Sequence, residues 1–199
     1  FSDLDFELAQ RFADAATIAI ENARTRAELR ELSRRDELTG LLNRRGFNEL
    51  LAAALGEAEA KPVSLVLLDL DDFKSVNDEH GHLSGDDVLA EVARVLRSAV
   101  DDAGPVCRLG GDEFAVILID ATAAEAEAVS DRIHEALAST VVIVSTGEVR
   151  QRASIGFAGT DAIVSPTIED LMREADRAMY ATKREREPIR LQLVSDASA

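Results

Sequence analysis

Two short segments carry residues whose types and spacing could do chemistry. Asp69-Leu70-Asp71-Asp72-Phe73-Lys74 follows directly on the apolar run Val63 to Leu68, and Gly110-Gly111-Asp112-Glu113-Phe114 stands between two further apolar runs. A carboxylate at the C-terminal end of a central strand borders the crevice where α/β folds bind ligands. Paired glycines admit positive φ and let a ligand approach the backbone closely. Singly, each segment has a plain structural explanation, since Asp69 and Asp71 can solvate a strand end and a Gly-Gly turn can simply close a hairpin. Together they point further. If the hairpin lies beside the Asp69 strand, Asp69, Asp112 and Glu113 converge, and such a carboxylate cluster is unfavourable without cations. Oxygen donors with no His or Cys beside them select hard ions, Mg²⁺ or Mn²⁺, which bind through a few carboxylates plus substrate phosphates. That is the equipment of two-metal phosphoryl or nucleotidyl transfer.

The stretch from Lys74 to Asp86 reads as a polar loop dense in donors and acceptors. An Asn amide and an Asp carboxylate can together read the edge of a guanine, which offers an N–H and an exocyclic amine, and a solvated loop accounts for the same residues. His80 and His82 lack soft-metal partners and read as hydrogen-bonding side chains, while His134 carries no functional expectation. Lys183-Arg184-Glu185-Arg186 closes the last predicted helix, where cations favour the helix dipole whatever else they do. The chain has only three lysines, Lys61, Lys74 and Lys183, and two of them fall at candidate phosphate positions.

These residues need a frame. Val63 to Leu68 predicts a central strand, Pro105 to Leu109 and Phe114 to Ile119 a hairpin, and Val141 to Ser145 with Val149 to Phe157 a second strand pair. Helices are predicted over Asn43 to Leu55, Gly85 to Val100, Thr122 to Ala138 and Ile168 to Lys183, the third opened by a Thr122/Glu125 capping box. A short strand near Ile189 to Val194 follows. The expected architecture is α/β (α+β), a central mixed sheet of about five or six strands flanked by helices. Ahead of it, Phe6 to Leu32 reads as one long helix whose second half keeps a thin Leu29/Leu32 seam among charges, the pattern of a dimerising coiled coil.

Composition bounds the rest. The 199 residues carry 22 basic and 38 acidic side chains, a net charge of −16, so extended nucleic-acid binding is not expected. A single cysteine, Cys107, excludes an internal disulfide and points to a reducing, cytoplasmic setting. No apolar run is long enough to span a membrane. The chain opens on Phe1, and a piece of a longer protein is expected.

The segments together resemble the GGDEF family, the diguanylate cyclases, from Arg35 to about Arg186. The resemblance rests on Arg108-Leu109-Gly110-Gly111-Asp112-Glu113-Phe114, on Asp36 through Arg45, Asp69 through Asp78, Gly81-His82, Gly85-Asp86, Ala153 through Gly156 and Ala175 through Tyr180. Phe1 to Ala23 is similar to the closing helix of a GAF sensor domain, so the expected division is a GAF-like helix and linker over 1–34 and a GGDEF domain over 35–194. The resemblance implies condensation of two GTP into cyclic di-GMP with release of two pyrophosphates, in bacterial second-messenger signalling, across a homodimer joined through the N-terminal helix. It implies that Asp69, the Leu70 carbonyl, Asp112 and Glu113 hold Mg²⁺ or Mn²⁺, two per active site, with Asp112 and Glu113 deprotonating the attacking hydroxyl. Asn77 and Asp86 would read guanine. Lys74, Lys183, Gly110, Gly111 and the N–H groups of Asp72 and Phe73 would receive the phosphates.

Two stretches depart from the family pattern. Asp101-Asp102-Ala103-Gly104 stands where the family's inhibitory product site has Arg-x-x-Asp, so no such site is expected. Glu187 stands at the usual place of a phosphate-binding arginine, with Arg186 one residue away as its substitute. The alternative to an active cyclase is a silent module that binds GTP or cyclic di-GMP and signals through a partner.

Overall fold

A computed structural model of the protein describes residues 34–56, 61–163 and 166–186. The chain divides into two compact units, Phe1–Arg35 and Asp36–Ala199, and every element named belongs to the second. The expected N-terminal helix with its coiled-coil seam and GAF-like ending lies outside the described residues, as does the expected strand at Ile189 to Val194.

Strand β1 (Val63–Leu70) is the hub of the domain. Apart from Ser64 and Asp69 its residues are apolar without alternation, because both of its faces are covered. The period of two then divides them. Val63, Leu65 and Leu67 pack with Phe47 and Leu51 of helix α1 (Arg44–Gly56) and with Leu171 and Ala175 of the last helix. Val66, Leu68 and Leu70 pack with Phe73 of the short helix α2 (Phe73–His80), with Val92 and Leu96 of α3 (His82–Val100) and with Val129 and Ile133 of α4 (Ala123–Ser139). The last helix, α5 (Ile168–Arg186), therefore shares one side of the sheet with α1, and α3 and α4 cover the other.

Strands β2 (Val106–Gly110), β3 (Glu113–Ile119) and β6 (Ala153–Gly159) complete a sheet of order β2-β3-β1-β6, antiparallel throughout. The sequence led us to expect a mixed sheet of five or six strands. Among the described residues the main sheet has four, and Leu42 adds an isolated parallel bridge to Cys107. The difference arises after α4. Val142–Val144 (β4) turns back at Gly147, whose φ is 144°, and pairs with Gly147–Val149 (β5) as a separate ribbon, burying Val142, Val144 and Val149 against the α3/α4 core. The expected partner of that segment, β6, pairs with β1 instead.

A second correction concerns Lys74 to Asp86, which is helical rather than a loop. Gly81, at φ 85°, separates α2 from α3. Only Phe73 of α2 is buried, so a helix there needs almost no apolar periodicity and leaves little trace of itself. The predicted capping box at Thr122 is present with both reciprocal hydrogen bonds.

Candidate active site

Register places the acidic residues. Asp69 lies opposite Glu113 of β3 and opposite Ser154 of β6, and residues directly opposite in an antiparallel pair share a face. With the parity of Leu67 and Ala115, Asp69 and Glu113 emerge on the side covered by α1 and α5. The neighbouring Leu70 N–H donates to the Asp112 carbonyl at 3.2 Å, which fixes the end of β1 against the start of β3. Of the three acids expected to converge, the register sets Asp69 opposite Glu113, and the backbone of Asp112 is tied to Leu70 beside them. Asp71, one step past the strand, accepts from Ser154 Oγ at 2.6 Å, while its backbone carbonyl accepts from Nε2 of the buried Gln151 at 2.7 Å.

Each flanking helix delivers one cation. Lys183 of α5 places Nζ 2.5 Å from Asp69 Oδ1, with the two side chains 35% and 20% exposed. The hydrogen bond to Asp69 holds the Lys183 ammonium above its ordinary pKa against the opposing effect of burial, and the charges of Asp69, Asp71 and Asp112 add to it. Arg44, the first residue of α1, donates from Nε to the Leu109 carbonyl at 2.9 Å and from Nη2 to Glu113 Oε2 at 3.2 Å. A cleft of about 370 Å³ opens beside this contact, walled by Arg44, Glu113, Arg173 and Asp176 over Leu109 and Phe114.

Among the described residues no three His, Cys, Asp or Glu side chains are gathered into a closed cation cluster. Asp69 and Glu113 are instead neutralised by Lys183 and Arg44. The donors still suit a hard divalent ion, because Asp69, Asp112, Glu113 and the Leu70 carbonyl offer only oxygen, and Mg²⁺ ordinarily takes one or two carboxylates and completes its shell with substrate phosphates and water.

The signature turn is held from behind. Gly110 and Gly111 have φ of 147° and 52°, a conformation that side chains with a Cβ rarely adopt, and the β2–β3 register shifts between Arg108 and Gly110. Arg108 donates from Nε and Nη2 to the Gly111 carbonyl at 3.1 and 2.8 Å, and from Nη1 to both Asp36 oxygens at 3.0 and 3.3 Å. Burial raises the pKa of Asp36, but hydrogen bonds from the Thr39 hydroxyl and N–H and from Arg108 outweigh it and hold the carboxyl below its ordinary value. Leu42 brackets Cys107 by accepting from Arg108 N–H at 2.7 Å and donating to the Val106 carbonyl at 3.3 Å. Cys107 itself is buried, and burial pushes its thiol up to about 12.

The remaining predicted residues lie on α2 and α3. Asp72 caps α2 in the left-handed conformation, φ 52°, so its N–H and that of Phe73 stand at a helix start, where amides lack intrahelical partners. Lys74 is exposed on the first turn. Asn77 packs against Gly85, the residue before the exposed Asp86, across the α2–α3 contact. His80 bonds Thr146 Oγ1 through Nδ1 at 2.7 Å, a structural contact as expected. Asp101–Ala103 forms an exposed 3₁₀ turn ahead of β2. Helix α5 extends through Arg186, whose side chain is outside the described set, as is Glu187.

The sequence reading gave no role to Arg44, Ser154 or Gln151. Their partners lie 65 and 69 residues away for Arg44, 83 for Ser154 and 80 for Gln151, so no local spacing announces them.

The family model described as "Diguanylate cyclase, GGDEF domain" matches residues 33–188. Diguanylate cyclase A of Treponema denticola is 31% identical over 189 residues, 92% of this chain and 49% of that protein. Cyclic di-GMP phosphodiesterase PdeR of Escherichia coli is 35% identical over 174 residues, 85% of this chain and 25% of that protein. The coiled coil and GGDEF domain of DgcB from Caulobacter crescentus, solved in complex with c-di-GMP, superposes with a TM-score of 0.77 at 30% identity, covering 90% of this chain and 96% of that one. The chain spans about half or less of the length of these curated relatives. No helix among the described residues is long and apolar enough to cross a membrane. A matched span of that length, with the signature turn and its carboxylates in place, decides the family: this chain belongs to the GGDEF-domain family of diguanylate cyclases.

Proposed function

We propose that the chain is an active diguanylate cyclase, condensing two GTP into cyclic di-GMP with loss of two pyrophosphates, and that it acts as a homodimer in bacterial second-messenger signalling. The observation that carries the reading is the pairing of Asp69 with Glu113 across β1 and β3, with Asp112 tied to Leu70 and Lys183 reaching in from α5. No part of this carboxylate and lysine set is missing.

In this reading Asp69, Asp112, Glu113 and the Leu70 carbonyl hold Mg²⁺ or Mn²⁺. Two such ions would neutralise the triphosphate and lower the pKa of the 3′-hydroxyl that attacks. Asp112, with Glu113, takes the hydroxyl proton as the new bond to the α-phosphorus forms and pyrophosphate leaves. Lys74, Lys183 and the amides of Asp72 and Phe73 hold the phosphates, and Arg186 adds a further cation beyond them. The open φ of Gly110 and Gly111 leaves room for a phosphate against the turn. Asn77 and Asp86 read guanine. Each subunit binds one GTP, so whatever sets how two subunits face one another governs the rate. GTP and the magnesium ion it needs make the cytoplasm the working compartment.

Incubating the purified chain with GTP and Mg²⁺ over a range of protein concentrations, and following pyrophosphate and cyclic di-GMP together, tests this. Product rising faster than linearly with protein is expected. Absence of product at every concentration, with GTP bound, overturns the reading in favour of a silent binding module. That second reading draws on Glu187, which replaces the usual arginine, and on similarity to a protein named as a phosphodiesterase. The acidic turn at Asp101 to Gly104 supports a cyclase without the family's product-inhibition site. Turnover unaffected by micromolar cyclic di-GMP is expected, and inhibition lost on altering Asp101 would refute it.

A further inference from the structure

The contact between Lys183 and Asp69 bears on how a cation enters the site. Asp69 is the more enclosed of the two, and its Oδ1 is already occupied by an ammonium at 2.5 Å. A free divalent ion approaching Asp69 must either expel that ammonium or share one carboxylate with it, and two cations on one carboxylate repel each other. Of the neighbouring acids, Asp71 already accepts from Ser154 Oγ, and the carboxylate that Lys183 hydrogen-bonds is that of Asp69. A polyphosphate changes the balance, because its oxygens supply the ammonium with a new and more strongly charged acceptor. Asp69 is released at the same moment as the metal arrives.

We infer that Lys183 makes Asp69 selective for a divalent ion that comes with a polyphosphate over the free ion. This rests on the proposed reading that Asp69 is a metal ligand and that Lys183 faces the triphosphate, and it adds a coupling between the two. By linkage, whatever factor nucleotide adds to metal affinity, metal adds to nucleotide affinity. The consequence for the reaction is discrimination. Cations alone do not load the site, and a nucleotide with fewer phosphates draws Lys183 away less well.

The test measures binding rather than turnover. Mn²⁺ affinity is determined by electron paramagnetic resonance on the full 199-residue chain, with and without α,β-methylene GTP, which cannot lose pyrophosphate. The same is done for Lys183→Met, Lys183→Arg and Asp69→Asn, with circular dichroism as the check on folding. The wild-type chain is expected to bind Mn²⁺ about tenfold or more tightly with the analogue than without it, a factor within the usual range of coupling between sites. Lys183→Met is expected to bind free Mn²⁺ several-fold more tightly than wild type and to lose most of the coupling, while Lys183→Arg stays close to wild type. Free-ion affinity unchanged in Lys183→Met, or raised equally in Lys183→Arg, overturns the inference. Mn²⁺ binding with the analogue that survives Asp69→Asn overturns instead the assignment of Asp69 as a ligand, so the two failures are distinguishable.

Discussion

Replacing Gly85 by alanine isolates the proposed guanine-reading step from the stability of the fold. A methyl group at Gly85 would lie 2.1 Å from Asn77 Oδ1, 3.1 Å from its Cγ and 3.3 Å from Phe73 Cζ. The worst of these overlaps is with the end of a side chain, so Asn77 can rotate away while the backbones of α2 and α3 stay in place. Alanine is also the better helix residue, by roughly 0.5–1 kcal/mol in a helix interior, which offsets part of the remaining crowding. Stability is therefore expected to change by about 1 kcal/mol or less. Binding should change more. Displacing Asn77 removes one or two hydrogen bonds to the base at about 0.5–1.5 kcal/mol each, so about 2 kcal/mol and roughly thirtyfold in affinity. The assay is calorimetric titration with α,β-methylene GTP and with the matching inosine nucleotide, which lacks the 2-amino group, alongside thermal unfolding. Gly85→Ala should bind the guanine analogue about thirtyfold more weakly and distinguish it less well from the inosine one. A variant that keeps both affinity and selectivity refutes the placement of Asn77. One that loses more than about 3 kcal/mol of stability refutes the claim that the side chain alone absorbs the clash.

Arg44→Ala should lower kcat about tenfold with GTP affinity nearly unchanged and little loss of stability, because an exposed ion pair contributes under about 1 kcal/mol while its effect on Glu113 is positional; steady-state kinetics and a melting curve check both halves. Gly156→Ala is the opposite case: its Cβ would lie 2.1 Å from Met179 N and 2.3 Å from the Ala175 carbonyl, backbone that cannot step aside, so about 3 kcal/mol of destabilisation is expected, or roughly 6–12 °C in Tm. The depressed pKa of Asp36 gives stability that is present above its ordinary value of 3.8 and lost as pH falls through the lower folded value. Urea midpoints for Asp36→Asn should thus lie below wild type at pH 6 and approach it near pH 2, and a constant gap across that range would remove the ionised carboxylate from the argument.

The acidic segments were legible because carboxylates beside an apolar strand and beside paired glycines are costly choices, and their cost is visible in one dimension. Strand β1 declared itself by an apolar run from Val63 to Leu68 interrupted only by Ser64, such as a strand covered on both faces sustains. Helix α2 did not, since one buried phenylalanine leaves no period to detect. The ribbon of β4 and β5 was misassigned for a related reason. Val142, Val144 and Val149 are β-branched and buried as expected, but short apolar runs do not specify which partner they pair with. Lys183 was found through its scarcity in a chain of three lysines, whereas Arg44, one arginine among nineteen, became meaningful only when the fold set it against Glu113.

The antiparallel ladder that sets Asp69 against Glu113 and Ser154 has a consequence for how this domain tolerates change in length. A single residue inserted or deleted within β1, β3 or β6 would leave the hydrogen-bonded strands able to form while turning every side chain beyond that point to the opposite layer. In β1, a change ahead of Asp69 would make that carboxylate look toward α3 and α4 and away from Lys183. An added residue at the Ser145–Thr146 turn of the ribbon leaves this ladder untouched. Point substitutions can therefore tune the site in small steps, but length changes in the sheet act on it as a switch, and inherited variation in length is expected to collect in the turns.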